Sequence, residues 1–87
     1  MVERKVVIAA EVGLHARPAA TFVQTAAQAP FEVTVSKGGQ APVNGKSILA
    51  ILGMDARQDD SVVIRVEGDG PEAEELLNRL AEICETP

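Results

Sequence analysis

The sequence contains few aromatic residues and fewer basic residues than acidic ones. Its two phenylalanines are the only aromatic side chains, and 13 acidic residues against 8 basic ones give a formal net charge of -5 at pH 7. Proteins that bind nucleic acids need basic patches and aromatic surfaces on which bases can stack. We therefore expect no nucleic-acid partner, and we expect partners that are proteins or small anions held locally.

Residues that bind metals or form disulfides are also scarce, since the chain has one cysteine and one histidine. A single cysteine forms no internal disulfide, and one cysteine with one histidine does not complete a zinc site. Cys84 follows Leu77 and Leu80 at helical spacing, which favours a buried apolar role over a reactive thiol. We expect neither a metal nor a cofactor.

Long hydrophobic runs are absent. Every apolar run is far shorter than the about 20 residues that span a bilayer, and no charged, hydrophobic and cleavable leader marks the chain for export. The hydrophobic fraction of 46% is too high for a disordered chain. We expect a single domain over residues 1–87, located in the cytoplasm and without direct membrane insertion.

The hydrophobic pattern predicts seven elements in the order β-α-β-β-α-β-α. Alternating or continuous apolar residues indicate strands, and apolar residues at helical spacing indicate helices. The predicted strands cover residues 2–10, 31–36, 40–43 and 62–67, and the predicted helices cover residues 16–28, 48–52 and 71–85. Such an order predicts an α+β fold with one antiparallel sheet and helices on one face. The apolar face predicted for the first helix consists of Ala16, Ala19, Ala20, Val23, Ala26 and Ala27, with Phe22 at its border.

The single histidine, His15, lies between the first strand region and the first helix. The first turn of a helix leaves backbone N–H groups without partners and carries the positive end of the helix dipole, so anions bind there. The helix terminus and Arg17 disfavour a charged imidazole, so we expect a neutral, nucleophilic ring. A phosphoryl group on it would be held by the Arg17 guanidinium and the backbone amides of Ala16 and Arg17. Spacing alone favours a plainer alternative, a solvated histidine beside an ordinary surface arginine.

The middle predicted helix combines a capping serine with a very apolar sequence. Ser47 is expected to act as its N-cap and Gly53 as its C-terminal stop. The apolar residues cover more of its circumference than one-sided packing needs, so the helix is either well buried or partly exposed as a docking patch. A phosphate on Ser47 would place roughly -2 units of charge beside these residues and would disfavour docking. The residues concerned are Ile48, Leu49, Ile51 and Leu52.

Two motifs together resemble the HPr family, the histidine-containing phosphocarriers of the bacterial phosphoenolpyruvate-dependent sugar phosphotransferase system. Chain length and element order agree as well, so the resemblance covers essentially the whole chain. It implies an open-faced β-sandwich, with a four-stranded antiparallel sheet and three helices on one face. The motifs are Gly13-Leu14-His15-Ala16-Arg17-Pro18-Ala19 and Asn44-Gly45-Lys46-Ser47-Ile48-Leu49.

The resemblance implies a stoichiometric phosphoryl carrier and not an independent enzyme. His15 would accept a phosphoryl group on ring Nδ1 from phosphorylated enzyme I and pass it to a histidine of a sugar-specific IIA protein. Arg17 would be the phosphate partner. Such transfer needs little beyond alignment and electrostatics. Because a carrier docks in turn on donor and acceptor, we expect a monomer.

The resemblance further implies that Ser47 is a regulatory phosphorylation site for an HPr kinase/phosphorylase, with a transcriptional regulator as a further partner. A regulatory interaction protein controlled through Ser47, or a carrier of a nitrogen-related branch, is therefore the alternative function. A hydrolase with His15 as general base is a third hypothesis, but the sequence offers no nucleophile or metal set for it. The docking positions implied by the family are Ala20, Ile48, Leu49, Leu52 and Met54.

Four residues depart from the family pattern. Asp55 and Asp59 stand where many members have glycine, and Gln24 and Ala27 occupy helix positions that are often basic. The resemblance implies acidic docking surfaces on the partners, so this loss of positive charge is expected to weaken electrostatic steering.

Overall fold

The computed structural model describes residues 1–87 and confirms the predicted order of elements. Four strands form one antiparallel sheet, and three helices complete the α+β fold. None of the helices combines the length and the apolar composition that crossing a membrane requires. The strands are β1 (Val2–Val7), β2 (Glu32–Lys37), β3 (Val43–Asn44) and β4 (Ser61–Glu67), and the helices are α1 (Ala16–Ala27), α2 (Ile48–Met54) and α3 (Pro71–Glu85).

The sheet has the strand order β1-β4-β2-β3, with every neighbouring pair antiparallel. Alternate residues of β2 and β4 are buried, as in Val33 and Val35 of β2, because one face of the sheet packs against the core. The opposite face carries polar pairs such as Glu3 and Arg65, which are opposite each other in the register and form an ion pair at 3.0 Å. The strand β3 lies at the sheet edge, as Pro42 predicts, but it begins only after the proline.

Helix α1 contacts the core through a narrower face than the sequence predicts. Ala19, Phe22 and Ala26 are fully buried, whereas Ala16 and Ala27 are exposed. These three buried positions follow helical spacing, so Phe22 lies at the centre of the apolar face and not at its border.

Helix α3 follows the prediction closely. Pro71 occupies its first turn together with Glu72 and Glu74, which suit the positive end of the helix dipole. Cys84 is buried in the core, and this burial raises the pKa of its thiol to about 12. The prediction of a structural cysteine is confirmed.

Helix α2 extends two residues beyond the predicted end. Gly53 lies inside the helix, Met54 is its last residue, and Asp55 takes the left-handed cap position with a φ of 53°. Met54 is only 6% exposed, and packing this apolar side chain into the core continues the helix past the glycine. Aspartate is one of the few residues besides glycine that tolerate the left-handed conformation.

Candidate functional site

Two loops that are distant in sequence are joined beside the N-terminus of α1. The backbone N–H of Leu14 donates a hydrogen bond to the carbonyl of Ala56 at 2.8 Å. Gly13 has a φ of +71°, and a Cβ atom there would lie 2.5 Å from the Ala56 carbonyl oxygen. The missing side chain of Gly13 therefore permits the loop before α1 to lie directly against the loop after α2.

The loop after α2 is also fixed to the end of β1. The N–H of Ile8 donates to the carbonyl of Asp60 at 2.9 Å, and the N–H of Asp59 donates to the carbonyl of Ile8 at 2.8 Å. The Asp60 carboxylate accepts the backbone N–H of Arg57 at 2.9 Å. These bonds hold the loop of residues 55–60 in one position relative to the start of α1.

His15 is the N-cap residue of α1 and therefore lies at the helix start, where the sequence places it. Its backbone is extended, with φ -134° and ψ 176°, and its carbonyl accepts the N–H of Ala19 at 3.3 Å. The side chain makes no capping hydrogen bond, and about one third of it is exposed (32%). The ring is thus partly accessible from solvent.

The backbone after His15 leaves two donors unused. The amides of Ala16 and Arg17 make no hydrogen bond within the chain, and both residues are exposed. Pro18 has no N–H to satisfy. Ala16 has a φ of 49°, a left-handed conformation that is costly for alanine and that no sequence signal predicted. The electropositive helix start predicted from the sequence is therefore present, with a local distortion at Ala16.

Arg17 is an exposed cation that makes no ion pair and no hydrogen bond within the chain. It lies in the first turn of α1, two residues after His15. A guanidinium without an internal partner is available to a phosphate group that arrives from outside.

Asp55 is the residue of this site that sequence reasoning missed. Its Oδ1 lies 3.3 Å from His15 Nε2, and its Oδ2 accepts hydrogen bonds from Arg57 Nε and Nη2 at 3.2 and 3.1 Å. The Arg57 hydrogen bond, with a smaller contribution from His15, lowers the pKa of the Asp55 carboxyl group. The same pairing raises the pKa of Arg57. The departure from glycine at position 55 was visible in the sequence, but its contact with His15 depends on the tertiary fold.

Ser47 caps α2, as predicted, and its Oγ accepts the N–H of Ala50 at 3.2 Å. The side chains of α2 divide into two sets. Ile51 and Met54 are buried, whereas Leu49 is 80% exposed. With Ile48 and Leu52, which are 39% and 37% exposed, Leu49 forms an apolar surface that we name the α2 patch.

Two of the docking positions implied by the family lie off the α2 patch. Met54 belongs to the core cluster, so the structure does not place it on the surface. Ala20 is partly buried on α1, a helix that contacts α2. No cluster of three or more His, Cys, Asp or Glu side chains in residues 1–87 is arranged to hold a metal ion.

Comparison with known proteins finds the same family over nearly the whole chain. The family model described as "PTS HPr component phosphorylation site" matches residues 2–86. The phosphocarrier protein HPr of Streptomyces coelicolor is 41% identical over 83 residues, which cover 95% of this chain and 87% of the relative. The phosphocarrier protein HPr of Haloferax volcanii is 40% identical over 86 residues, which cover 98% of this chain and 94% of the relative.

The three-dimensional structure is similar as well. The crystal structure of a phosphocarrier protein HPr from Bacillus anthracis matches with a TM-score of 0.85 at 35% sequence identity, and the match covers 95% of both chains. Sequence and fold similarity therefore both extend over nearly the whole chain.

Proposed function

The chain belongs to the HPr family of phosphocarriers of the phosphotransferase system, and from this premise we propose that His15 is its phosphoryl acceptor. The donor is the phosphohistidine of enzyme I, and the recipient is a histidine of a sugar-specific IIA protein. The observation that supports this proposal is the partly exposed His15 ring beside two unpaired amides and the free guanidinium of Arg17.

The transfer is an in-line displacement between two imidazoles. The lone pair of His15 Nδ1 attacks the phosphorus atom, and the donor's P–N bond breaks with its electron pair returning to the donor ring. The phosphate oxygens are received by the amides of Ala16 and Arg17 and by the Arg17 guanidinium. The chain supplies position and charge, and it needs no metal of its own for this step.

Phosphoryl uptake tests this proposal directly. Incubation with enzyme I and labelled phosphoenolpyruvate should add one acid-labile phosphate per chain, and His15→Ala should abolish the uptake. Ser47→Ala is the control, because it removes the other candidate phosphorylation site and should leave the uptake intact. If an enzyme I that charges the Bacillus anthracis relative adds no label to this chain, His15 is not an acceptor in this system.

We propose that enzyme I and the IIA proteins dock on the α2 patch and on Ala20 of α1, a helix that contacts α2. The exposure of Leu49 supports this role, since a large apolar side chain is rarely left 80% exposed without a partner. Leu49→Asp should raise the KM for enzyme I without disturbing the buried face of α2. On the family role we also propose that residues 1–87 act as a single domain, monomeric and cytoplasmic.

A second function, regulation through Ser47, is favoured by its position beside the α2 patch. A phosphate there would lie next to Ile48 and Leu49 and would add charge to an apolar docking surface. We propose that an HPr kinase/phosphorylase modifies Ser47 and that a transcriptional regulator reads the modified form. Ser47→Asp should weaken binding of enzyme I relative to Ser47→Ala, and equal binding by the two variants would count against this regulation.

A further inference from the structure

We propose that Asp55 is a positioning residue for phosphoryl transfer, because its carboxylate lies 3.3 Å from His15 Nε2, where it favours a proton on that nitrogen and leaves Nδ1 free to attack. The inference rests on the proposed role of His15 as acceptor. It adds a residue from the loop after α2, at a position where many family members have glycine.

The two carboxylate oxygens of Asp55 have different neighbours. Oδ2 is held by Arg57 through Nε and Nη2 at 3.2 and 3.1 Å, whereas Oδ1 lies 3.3 Å from His15 Nε2. An arginine that binds one oxygen with two N–H groups limits the rotation of the carboxylate. Because Arg57 holds Oδ2, the other carboxylate oxygen, Oδ1, stays on the side that faces the imidazole.

The backbone of Asp55 is fixed as firmly as its side chain. Its N–H donates to the carbonyl of Leu52 at 3.2 Å, and its own carbonyl accepts Lys37 Nζ at 2.9 Å. The next residue, Ala56, receives the hydrogen bond from Leu14, the residue before His15. The spacing between the two side chains is thus set by main-chain bonds on both sides of the contact.

A carboxylate beside Nε2 determines which ring nitrogen carries the proton. Neutral imidazole has one N–H, and an ionised carboxylate only accepts hydrogen bonds, so the favoured tautomer has its proton on Nε2. The lone pair then resides on Nδ1. This is the nitrogen that has no acidic neighbour among the ion pairs of the site.

The same contact stabilises the phosphorylated ring without a proton transfer. When Nδ1 bonds to phosphorus and the donor's P–N bond breaks, the ring keeps its Nε2–H and becomes a cation beside the Asp55 carboxylate. When the recipient attacks, the Nδ1–P electron pair returns to Nδ1 and the ring is neutral again. No proton enters or leaves the ring during uptake of the phosphoryl group or during its transfer to the recipient. In both steps the Asp55 carboxylate stabilises the cationic, phosphorylated ring.

Asp59 provides a matched control for the test. Asp55 and Asp59 are both exposed, both belong to the loop after α2, and both have positive φ values, 53° and 73°. Asp55→Gly and Asp59→Gly therefore remove one negative charge each, and neither imposes strain on the left-handed backbone. Only the first removes a contact with His15.

The first readout is the ring itself, by ¹⁵N NMR of His15 at about pH 8, where an unperturbed imidazole is neutral. The native protein should show protonated Nε2 and unprotonated Nδ1, and Asp55→Gly should shift both signals toward the averaged values of a free imidazole. Asp59→Gly should leave them unchanged. Asp55→Asn, whose amide can present a donor to Nε2, should favour the Nδ1–H tautomer.

The second readout is the rate of phosphoryl transfer from phosphorylated enzyme I. Asp55→Gly should lower kcat about tenfold, the lower end of the range known for partners that orient the histidine ligands of metal sites, because the contact is partly exposed. KM should stay near the native value, since Asp55 is not part of the α2 patch. Asp59→Gly should keep the native kcat.

The outcomes separate this inference from the proposed function. If the native chain accepts phosphate at His15 while Asp55→Gly shows native ring signals and a native kcat, the contact is only a surface ion pair and the positioning role is refuted. A change in the KM for enzyme I without a change in kcat would assign Asp55 to partner docking, and this outcome would also refute the positioning role. If the native chain takes up no phosphate at His15, the proposed function itself fails.

Discussion

Gly13→Ala tests whether the close approach of the two loops supports the site. At φ +71° an alanine pays about 1–2 kcal/mol for the left-handed backbone. Its Cβ would also lie 2.5 Å from the Ala56 carbonyl oxygen and 2.8 Å from Arg57 Cα, so backbone must move on one side or the other. Relief of such overpacking costs about 1–3 kcal/mol more. The sum is a large share of the about 5–15 kcal/mol that stabilises a typical domain.

The assay is equilibrium unfolding in urea, with Gly38→Ala as the control. Gly38 also has a positive φ, +55°, but a Cβ atom there would have no neighbour within 4 Å. Both variants share the backbone strain and the loss of unfolded-state entropy, so the difference between them isolates the clash with residues 56 and 57. Gly13→Ala should be less stable than Gly38→Ala by about 1–3 kcal/mol, with an unchanged m-value. Equal losses in the two variants would show that the loops are not held by this contact.

Three further predictions concern the charges and the thiol. Arg17→Ala should reduce phosphoryl uptake strongly and barely change the melting temperature, because an exposed cation without a partner contributes little to stability. The Cys84 thiol, with a pKa raised to about 12 by burial, should resist alkylation at neutral pH until the protein is unfolded in denaturant. The lowered pKa of Asp55 means that its pairing with Arg57 stabilises the fold above the unfolded-state pKa and is lost as the pH falls through the folded-state pKa. The difference in the free energy of unfolding between the native protein and Arg57→Ala should therefore shrink in acid. A difference that stays constant with pH would show that the pairing does not stabilise the fold in this way.

Local patterns predicted most of the fold because the forces that produce it are local. The alternation in β2 determines which side chains are buried, and Ser47 and Pro71 mark helix starts through their own chemistry. The end of α2 was placed too early because the burial of Met54, a tertiary effect, outweighs the preference of Gly53 for a helix end.

The candidate site was predicted only in part, for the same physical reason. His15 and Arg17 are neighbours in the sequence, so their shared helix start could be read from it. Asp55 reaches His15 only because Gly13 lets two distant loops approach, and no sequence periodicity reports such a contact. The left-handed Ala16 had no signal either, since alanine has no preference for that conformation.

The acidic departures from the family pattern have different electrostatic consequences once their neighbours are known. The Asp55 carboxylate is offset by Arg57, and the charge of Asp60 is offset by Lys37 Nζ at 3.6 Å. Asp59 forms no ion pair. Its carboxylate is therefore the loop charge that no cation of the chain compensates, and it would oppose an acidic partner surface of the kind that the resemblance implies. Asp55, in contrast, contacts His15 while its charge is offset by Arg57. Arg57, and not Arg17, is the residue that neutralises Asp55, so the guanidinium of Arg17 stays free for the phosphate that we propose it binds.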